Sequence, residues 1–121
     1  GHCKTFSQAA DGYVRSKGVG VVMLKPLQQA MADNDPIVGV LKGSAINQDG
    51  RSNGITAPNS AAQQAVINAA LGNAKMQAGD IHYVETHGTG TELGDPIEIT
   101  GLNRTYGEHH SRHNPVILGA V

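Results

Sequence analysis

One segment constrains this chain more than any other: YVETHGTGTELGDPIE, from Tyr83 to Glu98. The stretch Ile81 to Glu85 reads as a strand, and Asp95-Pro96 opens a helix running to about Tyr106, with Asp at the cap and Pro just inside. Between them the turn His87 to Gly94 carries glycine at positions 88, 90 and 94. A strand that breaks into a glycine turn and then a helix belongs to an α/β layered architecture, and in open α/β sheets ligands gather at the carboxyl ends of strands. Glycine lets a ligand approach the backbone closely. His87, at that strand end, can offer a ring N–H or a lone pair to a substrate from a rigid base.

The rest of the chain continues the alternation. Val19 to Leu24 lacks helical spacing, is rich in valine and reads as a buried strand. Pro26 precedes a short helix, Leu27 to Ala32, and Asp33-Asn34-Asp35-Pro36 is a turn. Ile37 to Asn47 reads as a second strand, followed by a long polar loop, Gln48 to Asn59. Asn59 or Ser60 caps a helix with Ala62, Ala65, Val66, Ala69 and Ala70 at helical spacing, and Gly72-Asn73 stops it. A polar linker, Gly107 to Pro115, leads to a last strand starting at Val116-Ile117-Leu118. The strands read as buried on both faces.

The 121 residues suffice for one domain of modest size. Charged residues make up 16% against roughly 25% in typical soluble domains. The 16 glycines add to the impression of buried elements and tight turns. With 9 basic and 10 acidic residues there is no basic stripe for phosphates, so nucleic acid is not an expected partner. No apolar run reaches the roughly 18 residues of a membrane helix, so no membrane association is expected. Cys3 is the single cysteine; it forms no internal disulfide, which points to a reducing, cytoplasmic setting, and it reads as a small buried residue rather than a nucleophile. The chain begins in a loop without methionine and stops at a strand, as a piece of a larger protein would.

Other chemistries fit the residues less well. Gly88, Gly90 and Gly94 approach a dinucleotide fingerprint, but Glu92, Asp95 and Glu98 place negative charge where a pyrophosphate would sit. His109, His110 and His113 have a loose metal-site spacing, yet Gly107 and Asn114-Pro115 mark a loop and no carboxylate stands between the histidines, so a solvated linker and no metal are expected. The NQDGRSNG stretch, Asn47 to Gly54, either serves a partner or a channel or simply builds turns.

Four segments in order resemble the β-ketoacyl synthase (ketosynthase) domains of modular polyketide synthases: ADGYVRSKGVGVVMLKPL from Ala10, GSAINQDGRSNGITAPN from Gly43, YVETHGTGTELGDPIE from Tyr83 and VILGAV from Val116. The resemblance covers nearly the whole chain. It implies a thiolase-like αβαβα layered fold, only partly spanned, with residues 1–121 holding the end of its first half and the start of its second. It implies decarboxylative Claisen condensation of an acyl-cysteine with a malonyl-type extender, presented on the phosphopantetheine of an acyl carrier protein. The domain would bind no cofactor of its own and would work as a homodimer.

By the same resemblance His87 is one of two catalytic histidines. Thr89 and Thr91 hold the phosphopantetheine arm, and Glu98 supports the site from behind, near a lysine beyond Val121. The family's T-A-C-S-S cysteine segment and N-I-G-H histidine segment do not occur here, and Cys3 matches a non-catalytic position. Lys17, Ser7 and Ala120 depart from the usual glutamate, aspartate and serine. The chain alone is therefore expected to be inactive and poorly soluble. A second reading is a catalytically dead carrier-protein-binding or dimerisation module.

Overall fold

The computed structural model describes residues 1–50 and 58–120. Within them the order is α1 (Leu27–Ala32), α2 (Ser60–Ala74), a 3₁₀ turn (Ala78–Asp80), β1 (Tyr83–Glu85), α3 (Gly94–Tyr106) and β2 (Ile117–Gly119). Most of the polar loop expected at 48–59, together with Val121, lies outside the described residues.

β1 and β2 pair in parallel, Tyr83 opposite Ile117, Val84 opposite Leu118 and Glu85 opposite Gly119. Parallel neighbours need a long crossover, and α3 supplies it. The result is one β–α–β unit with α2 packed on α3. The core is small: Ala78, Leu102 and Tyr106 are buried, with Ile67, Leu71, Val84 and Leu118 packed against them.

α2 begins as the sequence implies. The Asn59 side chain accepts hydrogen bonds from the N–H groups of Ala61 and Ala62 at 3.0 and 3.3 Å. Its end and its inner face differ from expectation. The helix runs through Gly72 and Asn73 to Ala74 and stops at Lys75, whose φ of 55° puts a lysine in the left-handed position that glycine usually takes. The inner face carries Ile67 and Leu71, while Ala65 and Ala69 are exposed. Isoleucine and leucine remove more apolar surface from water than alanine, so they decide which side of the helix turns inward. α3 crosses α2 at Gly101, where a Cβ would stand 2.9 Å from Gln63 Oε1 and 3.3 Å from Ser60 O. That close approach is what glycine permits.

Two expected strands do not form. Val19 to Leu24 and Ile37 to Asn47 make no strand hydrogen bonds, and their apolar side chains lie open, with Val19 94% and Met23 97% exposed. A strand is defined by its neighbours, and among the described residues neither stretch has one to pair with. Residues 43–47 instead run along α2. The Asn73 side chain donates to Ser44 O at 2.8 Å, and Asn47 donates to Ala62 O at 2.7 Å. The two strands that do form are half-exposed rather than buried on both faces.

Candidate active site

The site is built where β1 ends. Thr86 carries the parallel ladder one step further: its N–H and its hydroxyl both donate to Gly119 O, at 2.8 and 2.7 Å. The chain then leaves the sheet, and the His87 side chain emerges exposed, directly before the buried Gly88. Gly88 and Gly90 have φ of 49° and 69°. A Cβ on Gly88 would lie 2.6 Å from the Ala120 Cβ, and one on Gly90 3.1 Å from Lys4 N. Both positions require glycine for backbone angle and for space.

Two carboxylates hold this turn. Glu98, in the second turn of α3, accepts from His87 N at 2.7 Å and from Gly88 N at 2.9 Å, one bond to each oxygen. Asp95, only 5% exposed, accepts from Gly90 N at 3.0 Å and from Phe6 N at 2.7 Å. Charged acceptors on backbone N–H groups make stronger bonds than neutral ones. Asp95 was expected to cap α3. It lies instead inside the first turn, Leu93 stands at the cap position without a side-chain capping bond, and the Thr91 hydroxyl two residues earlier accepts from Gly94 N at 3.0 Å. Both Asp95 oxygens are taken up by Gly90 N and Phe6 N, which leaves neither for the helix N-terminus.

Thr89 and Thr91 meet hydroxyl to hydroxyl at 3.0 Å. Because Thr91 already accepts from Gly94, whichever hydroxyl donates within the pair, the other has one proton left to offer a ligand. Thr91 and Asp95 border a cleft of about 530 Å³ whose wall also includes Phe6, Gln8, Pro96 and Ile99. His87 and Thr89 are not part of that wall. The structure thus gathers His87, Thr89, Thr91 and Glu98 on one turn and its following helix, with Glu98 reaching His87 through the backbone.

Sequence reasoning missed the partner across the turn. Residues 4–12 dock on it: the Thr5 hydroxyl donates to Gly88 O, and Gly12 N donates to Gly90 O at 2.8 Å. Nothing local in the sequence signals this contact, which joins positions more than 70 apart. In that segment Ser7 Oγ accepts from Ala9 N at 3.1 Å, so serine supplies the turn bond an aspartate would make. Cys3, expected to be buried, is exposed, with Val14 N directed at its sulfur.

The 107–115 linker also differs from a plain solvated loop. The half-buried His110 ring lies within hydrogen-bond distance of Asn114 O at 3.1 Å and Ala78 O at 3.2 Å. It also meets the Tyr106 ring edge-on.

Comparison with known proteins decides the family. Residues 38–121 match the model for the β-ketoacyl synthase C-terminal domain, and residues 1–30 match that for the N-terminal domain. This chain belongs to the β-ketoacyl synthase family. Among curated relatives, it is 53% identical over 121 residues to erythronolide synthase EryA3 of Saccharopolyspora erythraea. It is 54% identical over 122 residues to polyketide synthase ThaG of Burkholderia thailandensis. All of the chain is covered, against 4% and 2% of those two proteins.

Solved ketosynthases superpose closely. The oxazolomycin ketosynthase domain OzmH KS7 of Streptomyces albus matches with a TM-score of 0.91 at 41% identity, over the whole chain and 21% of that domain. The ketosynthase of module 6 of the bacillaene synthase of Bacillus subtilis gives the same TM-score and identity over 22% of its length. The chain is therefore a partial thiolase-like α/β fold, spanning about a fifth of a ketosynthase.

Proposed function

We propose that this chain is the histidine-bearing part of a polyketide-synthase ketosynthase that performs decarboxylative Claisen condensation. In this reading residues 1–121 hold the end of the first half and the start of the second half of the layered fold. The observation that carries the proposal is His87: an exposed imidazole at the carboxyl end of a parallel strand, on a turn whose N–H groups Glu98 pins at 2.7 and 2.9 Å.

The chemistry follows from charge. A malonyl-type extender, held as a thioester on the phosphopantetheine of an acyl carrier protein, loses CO2, and the electrons of the broken bond become an enolate. A ring N–H of His87 aimed at the thioester oxygen stabilises that developing charge, and a neutral imidazole suffices because it only needs to donate. The enolate carbon attacks an acyl group on a cysteine supplied by another part of the synthase, and the thiolate leaves. The spare hydroxyl proton of the Thr89–Thr91 pair holds a carbonyl of the pantetheine arm. Glu98 keeps the backbone of His87 in place. The domain brings no cofactor, functions as a homodimer in the cytoplasm, and takes carrier protein as its partner. Among the described residues no helix is long and apolar enough to cross a membrane.

The test is carbon–carbon bond formation by the synthase that carries this chain, with His87→Ala. The product rate is expected to fall by about 10²–10³, the usual effect of losing one oxyanion donor, with acyl loading unaffected. Product at the unaltered rate would mean the turn is a carrier-binding or dimerisation module instead.

A further inference from the structure

We propose that Asp95 is a positioning residue that sets the direction of the His87 ring by locking the glycine turn to residues 4–12. The proposal rests on the reading of His87 given above. Among the described residues His87 has one side-chain partner, Glu98, met through its backbone N–H alone. Directly beyond it the chain turns back through Gly88 and Gly90, both in left-handed conformations. A turn with two such glycines has many alternative paths, because glycine samples both signs of φ freely. Something must select one path.

Asp95 is placed to do so. It is buried at 5% exposure, and each carboxylate oxygen serves a different segment: Oδ1 takes Gly90 N at 3.0 Å, and Oδ2 takes Phe6 N at 2.7 Å. Phe6 sits at a φ of 55°, unusual for a phenylalanine, so its N–H is turned toward the carboxylate at some backbone cost. Two further bonds close the same seam, Thr5 Oγ1 to Gly88 O and Gly12 N to Gly90 O. Asp95 joins three elements at once: the first turn of α3, the glycine turn and the 4–12 segment. With that link broken, the Thr5–Gly88 and Gly12–Gly90 bonds still join the turn to residues 4–12, but Gly90 N loses its charged acceptor and its tie to α3, so the turn beyond His87 can shift and the imidazole N–H no longer has a single direction.

Asparagine has nearly the shape of aspartate, but one of its two polar ends is a donor. Facing two N–H groups, it can accept from one and must repel the other. Asp95→Asn therefore removes one clasp with little change in volume. In the synthase that carries this chain, two steps are to be compared: acylation of the synthase's cysteine, which makes no use of His87 in this account, and CO2 release from a carrier-bound malonyl extender, which does. Asp95→Asn is expected to slow CO2 release about tenfold while acylation stays within about twofold. A merely structural role would slow both steps together, and that result, or no change in either, would overturn the proposal.

Should Asp95→Asn fail to fold, Thr5→Val cuts the same seam at Gly88 O. The same split is then expected with a smaller loss, about threefold, and its absence is equally decisive. His87→Ala serves as the control: if it leaves CO2 release intact, the reading of His87 fails, whereas full loss there with an unaffected Asp95→Asn sinks only the present inference.

Discussion

Tyr106 shows how the small core acts on a single group. At 6% exposure its hydroxyl is lifted above the ordinary phenol pKa by burial, which penalises the phenolate. The folded state thus favours the neutral form. The stability this gives is fully present below the unfolded value, about 10, and is lost as pH rises through the higher folded value. An alkaline difference titration of wild type against Tyr106→Phe, read at the phenolate absorbance, should remove a step above the ordinary tyrosine range. Loss of amplitude at or below that range would show that Tyr106 is not buried as described. At this scale the sequence was informative where a residue's role is local. His87 could be placed at a strand end because the strand, the glycines and the Asp-Pro pair are all contiguous. Asp95 was misjudged as a cap because its real partners include Phe6, 89 positions away, and no spacing rule reaches so far.

At the scale of elements, the packing of α2 on α3 carries what core there is. Leu102, 8% exposed, belongs to the buried cluster against which Ile67 and Leu71 of α2 and Val84 of β1 pack. Leu102→Ala is expected to lower the unfolding free energy of the ketosynthase by about 2–3 kcal/mol, the low end for a buried leucine because the surrounding cluster is small. Urea denaturation measures it, and a change under about 0.5 kcal/mol, the range of ordinary surface substitutions, would mean that α2 and α3 do not meet through this residue. Helix positions were legible because each has its own start signal: Pro26 before α1, Asn59 before α2, and the Asp95-Pro96 pair at α3, although that pair lies inside the first turn and not at its cap. The end of α2 was less so. Gly72 reads as a stop, but an exposed mid-helix glycine costs only about 1 kcal/mol, and the left-handed Lys75 ends the helix three residues later. The stretches at 19–24 and 37–47 were misread for a different reason. Their valine-rich composition describes what they would do beside a neighbouring strand, and composition carries no information about whether that neighbour is present.

The whole molecule shows the consequence. Apolar side chains of Val19, Val21, Val22, Met23, Val38 and Leu41 all face solvent, which is rare for a self-sufficient domain. Purified alone, the 121-residue chain is expected to bind a hydrophobic dye such as ANS strongly, to self-associate, and to form no condensation product from a carrier-bound extender. A monomer that leaves the dye dark would show that these faces cover themselves. The proposed chemistry turns on one imidazole at a strand end, and CO2 release reads that imidazole most directly. In a single-turnover assay of the carrying synthase with a carboxyl-labelled malonyl thioester, His87→Ala should release label at least a hundredfold more slowly than wild type, in line with loss of one oxyanion donor. Label released at the wild-type rate would contradict the account.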